Sequence, residues 1–126
     1  MFTIMENQTR VEIKLLKEHR GGVNSTSFTG RPEGKEVRKQ LKLDECDGSN
    51  QLYVVTIPSD TTSFNPSFFL GLFYDSMKKL TWDGFNKKYI FDISALEDKL
   101  ESVIKGNLDE CYRKAKIDLQ GLNPLV

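Results

Sequence analysis

The run Leu52-Tyr53-Val54-Val55-Thr56-Ile57, stopped by Pro58, constrains this chain more than any other segment. It is β-branched, aromatic and nearly continuous in its hydrophobicity, which describes a central strand covered on both faces. Asn65-Pro66 then opens a helix, with a side-chain acceptor at the N-cap and proline just inside it. Phe69, Leu72, Phe73, Met77 and Leu80 recur at helical spacing, with Phe68 and Leu70 widening the apolar surface. This helix is expected to be the best buried. After a loop over 82–86, Lys88-Tyr89-Ile90-Phe91-Asp92-Ile93 reads as a second good strand. A strand–helix–strand unit of this kind places the strands near 53 and 89 parallel and close together.

The flanking segments complete an α/β pattern. Arg10-Val11-Glu12-Ile13-Lys14-Leu15 alternates charged and apolar residues, as a half-buried strand does. A turn over 17–24 and a short strand over 25–29 would close a hairpin with it. Pro32 starts a helix with Glu33 and Glu36 near one end and Lys39 and Lys42 near the other. Val37 and Leu41 give that helix a narrow buried stripe, and Gly34 weakens it. Asp44 to Asn50 reads as a polar loop, without the acidic spacing of a calcium loop. Ser94-Ala95-Leu96-Glu97 has the form of a capping box. Leu96, Leu100, Val103, Ile104, Leu108, Cys111 and Ala115 then mark one face of a last helix. The expected fold is a single α/β domain over 1–126, a four-stranded mixed sheet with packed helices, its ends at 1–9 and 118–126 flexible.

Composition excludes several roles. Lys+Arg and Asp+Glu number 18 each, whereas a duplex nucleic-acid binder or a protein of anionic membranes carries a basic excess. No stretch approaches the roughly 18–20 apolar residues that span a bilayer, and the first residues lack the features of a secretory signal. Cys46 and Cys111 are isolated thiols, as expected in a reducing cytoplasm. His19 is the only histidine and sits between charged residues beside Gly21-Gly22, a solvated setting. No metal site, cofactor or glycine-rich phosphate loop is therefore expected.

The segment from Ser59 to Ser67 joins the C-terminal end of the buried strand to the most apolar helix, the edge where ligands and modifications concentrate in open α/β sheets. Ser67 falls at the second position of that helix, where a phosphate would meet free backbone N–H groups. Structurally, Asn65 and Pro66 need be no more than a cap.

Three segments together carry a family likeness. They are Phe28-Thr29-Gly30-Arg31-Pro32-Glu33-Gly34-Lys35-Glu36-Val37, Tyr53-Val54-Val55-Thr56-Ile57, and Ser63-Phe64-Asn65-Pro66-Ser67-Phe68-Phe69-Leu70-Gly71-Leu72-Phe73. This pattern resembles the bacterial STAS-like domains of unknown function, relatives of the anti-sigma factor antagonists. The resemblance implies a STAS-like fold and a partner ATPase of the histidine-kinase fold, which in the antagonists phosphorylates a serine of an Asp-Ser-Ser-Gly segment; Asn65, Pro66, Ser67 and Phe68 fall at those positions, and Ser67 alone keeps a hydroxyl.

The reading is a non-enzymatic protein–protein interaction module of bacterial signalling. Its partner surface comprises Ser63, Phe64, Asn65, Ser67 and Arg31, with Ser67 as the phosphorylation candidate. Two rivals are a small enzyme using Asp60, Thr61, Thr62 and Asp92, and a structural protein that self-associates through a sheet edge or the last helix.

Overall fold

The computed structural model describes residues 9–22 and 24–121. Three strands form a parallel sheet: β1 (Val11–Lys14), β3 (Tyr53–Thr56) and β5 (Tyr89–Asp92), in the order β1-β3-β5. Two short strands, β2 (Ser27–Phe28) and β4 (Ser63–Phe64), pair in parallel as a second sheet. The helices are α1 (Arg31–Gln40), α2 (Leu43–Gly48), α3 (Pro66–Lys88) and α4 (Asp98–Gly121). The strands at 53 and 89 are parallel neighbours, in register Tyr53 to Tyr89.

The four-stranded mixed sheet is corrected to these two parallel sheets. A 3-10 turn over Lys17–Arg20 buries His19 and Arg20 and ends at Gly21 in the left-handed conformation. It carries the chain away from β1, so β2 lies beside β4 and no hairpin forms. The flexible ends are expected mostly at residues outside those described, but 118–121 form the last turn of α4.

Among the described residues, helices cover the larger sheet on one face only. Ile13, Tyr53, Val55 and Tyr89 are buried beneath α3, whose Phe73 ring lies 5.0 Å from that of Tyr89. On the opposite face Glu12, Lys14, Ile90 and Asp92 are exposed, and Val54 and Thr56 are half-buried. The expectation that Tyr53–Ile57 is covered on both faces is thus corrected. The polar partner of Thr56 explains the sheet's tolerance of water, since its hydroxyl donates to Glu12 at 2.8 Å.

Three further local readings change. The segment over 44–48 is helical because Asp47 turns inward: Arg38 donates to it at 2.7 Å, Ser76 at 2.9 Å and the Tyr89 hydroxyl at 2.7 Å. The 82–86 loop is instead the last part of α3, which breaks only at Thr81 (φ 68°) and resumes where the Thr81 hydroxyl accepts from the Gly84 N–H. The Ser94 capping box does not form. Asp92 accepts from the Ser94 N–H and hydroxyl, and α4 starts later, at Asp98. Val103 faces outward, 47% exposed, while Ile104, Leu108, Cys111 and Ala115 are buried as expected.

Candidate functional site

The segment between β3 and α3 is built around two anchors. Arg20 donates to Asp60 at 2.8 Å and to the Thr61 hydroxyl at 3.2 Å, while that hydroxyl donates to the Pro58 carbonyl at 2.7 Å. Downstream, β4 is fixed by the Ser27–Ser63 hydroxyl bond at 2.7 Å and by the Phe64 N–H, which donates to Asn107 of α4 at 2.8 Å. Asn65 caps α3, accepting from the Ser67 N–H at 2.8 Å and from the Ser67 hydroxyl.

The five residues read from sequence as a partner surface are not all brought together. Ser63 and Ser67 are half-buried and Asn65 is exposed, so these three share the surface where β4 enters α3. Phe64 is 0% exposed and is withdrawn from that surface. Alternation along β4 turns its ring inward, 5.2 Å from Phe28 and 5.7 Å from Phe91. Arg31 is also elsewhere: its guanidinium lies over the Tyr74 ring at 5.4 Å. Tyr74 is seven positions beyond Ser67, about 10 Å along an α-helix.

Sequence reasoning missed hydroxyl groups that join this surface from β2. Thr26 and Thr62 share a hydrogen bond of 2.6 Å, and Thr62 approaches Ser27 at 3.5 Å. Thr26, Thr62, Ser27 and Ser63 thus form a row leading to Asn65 and Ser67. The alternation Ser25-Thr26-Ser27-Phe28 hinted at it, but the parallel pairing of β2 with β4 was needed to see it.

The groups proposed for acid–base work are engaged otherwise. Asp60 is held below the usual carboxylate range by the hydrogen bond from Arg20, and Asp92 by that from the Ser94 hydroxyl. Thr61 is fully buried. His19 is buried rather than solvated; its Nδ1 accepts from the Leu16 N–H at 2.9 Å, and burial lowers its pKa. Burial pushes the Cys111 thiol up to about 12. Cys46 and Cys111 are both free. Among the described residues no group of three or more His, Cys, Asp or Glu is placed to hold a metal ion, and no helix is long and apolar enough to cross a membrane. Comparison with protein-family models, curated proteins and solved structures finds no match to the chain.

Proposed function

We propose that the chain is a non-enzymatic protein–protein interaction module of bacterial signalling or regulation, allied to the STAS-like domains. The observation that carries this reading is the uncharged row of Thr26, Thr62, Ser27, Ser63, Asn65 and Ser67, laid over the packed rings of Phe28, Phe64 and Phe68. Such a surface is held rigid from below, and its hydroxyls exchange water for partner hydrogen bonds without the cost of stripping a charge. The resemblance makes a histidine-kinase-fold ATPase the expected partner, and the isolated thiols Cys46 and Cys111 make the cytoplasm the expected compartment.

Ser67 gives the surface a means of regulation. Its hydroxyl is half-buried rather than sealed, and it stands in the first turn of the most deeply buried helix. A phosphate there would add a charge of roughly minus two beside free N–H groups, and would have to displace the Asn65 cap. The test is co-purification from the native host with wild-type, Ser67→Ala and Ser67→Glu chains. Partners are expected with the first two and lost at least tenfold with the third. Equal recovery with Ser67→Glu overturns the reading.

A further inference from the structure

We infer that the outer edge of β5 is a second recognition site, one that takes an extended segment of another protein as an added strand. The inference does not depend on the hydroxyl surface of β2 and β4.

Hydrogen bonding along the sheet shows which groups face outward. Val11 and Leu15 donate to the Leu52 and Thr56 carbonyls, so the even-numbered residues of β3 face β1. Tyr53 and Val55 therefore face β5, and the parallel register matches them to ladder groups of Ile90 and Asp92. The backbone groups of Tyr89 and Phe91 point away from the sheet. The Tyr89 N–H returns to Phe85 in α3. The Tyr89 carbonyl and both backbone groups of Phe91 have no hydrogen-bond partner among the described residues.

β5 is the least protected of the sheet edges, with one charged residue, Asp92, and the outer groups of Phe91 unpaired among the described residues. Charged Glu12 and Lys14 flank the edge of β1. The outer groups of Phe64 in β4 are occupied by Asn107 and by the Cys111 thiol at 3.7 Å. Along β5 there is instead a groove of about 390 Å³ between Ile90, Phe91 and Ile93 on one side and Leu108 and Tyr112 of α4 on the other. A strand beside a helix, with the unpaired N–H and C=O of half-buried Phe91 between, is the geometry that binds extended peptides by strand addition.

Charge and side-chain pattern define the occupant. Lys105 on the rim pairs with Asp109 at 3.7 Å, whereas Glu101 has no ion-pair partner among the described residues. The fitting segment is extended, apolar at alternate positions and basic where it passes Glu101.

The experiment uses the full chain, a phage-displayed library of short random peptides, and amide exchange read by NMR. Enriched peptides should alternate apolar and polar residues and carry a Lys or Arg. They should slow exchange of the Phe91 amide, which is fast in the free chain while those of Ile90 and Asp92 are slow. Methylating alternate peptide amides should abolish binding, Glu101→Lys should weaken it roughly three- to fivefold, and Ser67→Glu should leave it unchanged. The inference is overturned if selected peptides leave Phe91 exchange unaltered, if no peptide is enriched, or if Phe91 is already protected in the free chain, whether as monomer or dimer.

Discussion

Gly34 of α1 and Gly71 of α3 each stand where the other helix leaves no room for a side chain. A Cβ at Gly34 would lie 2.2 Å from the Phe68 carbonyl oxygen, and one at Gly71 would lie 2.2 Å from that of Arg31. In both cases the obstacle is backbone, which cannot swing aside. Alanine at either position gains roughly 1 kcal/mol of helix propensity but must push the helices apart. Gly34→Ala and Gly71→Ala should each destabilise the chain by a net of about 1–3 kcal/mol, seen as a lower urea midpoint at unchanged slope. A raised midpoint for either would mean that the helices do not cross this closely.

The same crossing delivers Arg38 to a buried polar cluster. Its guanidinium donates to the Leu72 carbonyl at 2.9 Å, Ser76 at 2.8 Å and Asp47 at 2.7 Å. Asp47→Ala would leave the Tyr89 and Ser76 hydroxyls without their acceptor and Arg38 with only the exposed Asp44 as counter-charge, at a cost of about 2–4 kcal/mol. Tyr89→Phe removes one donor and should cost about 1–2 kcal/mol. Chemical denaturation of the two variants ranks them. Near-equal losses would show that Asp47 does not organise the cluster.

These two contacts explain what was legible in the sequence. The strands at 53 and 89, their parallel pairing and the apolar face of α3 follow from local hydrophobic pattern, and all were read from it. Gly34 was legible only as a weak helix residue, because its reason lies on another helix. Asp47 was taken for a loop residue, because a carboxylate looks solvated until Arg38, Ser76 and Tyr89 close on it. At the candidate surface, Asn65 was legible as a cap from Asn-Pro alone. Phe64 was misplaced because a two-residue strand is too short to display its alternation, and Arg31 because its stacking partner is Tyr74.

Lys42 links α1 to α2 in the left-handed conformation, φ 57° and ψ 47°. A side chain with a Cβ is disfavoured there by roughly 1–2 kcal/mol, whereas glycine adopts it freely. The Lys42 side chain is exposed and makes no hydrogen bond among the described residues, and its backbone bonds survive the change to glycine. Lys42→Gly should therefore stabilise the chain, by about 1 kcal/mol once the greater freedom of glycine in the unfolded chain is deducted. Thermal unfolding checks this, and a lower Tm would place the helix junction elsewhere.

His19 makes stability sensitive to mildly acidic pH. Burial lowers its pKa from the ordinary 6.5, and the Nδ1 that accepts from Leu16 must be unprotonated to do so. Between the lowered folded value and 6.5 the unfolded chain binds more protons than the folded one. Stability is then complete above 6.5 and falls as the pH drops through the folded pKa. Because His19 is the sole histidine, His19→Asn should flatten the profile between about pH 5 and 7 while keeping a side-chain acceptor. The carboxylates that also lose stabilising partners in acid, Asp44, Asp60, Asp92 and Glu110, have depressed pKa values and act only below their ordinary 3.8 or, for Glu110, 4.5. Denaturation midpoints for both chains across this range would decide it: a wild-type profile as flat as that of the variant would show that His19 does not titrate on unfolding.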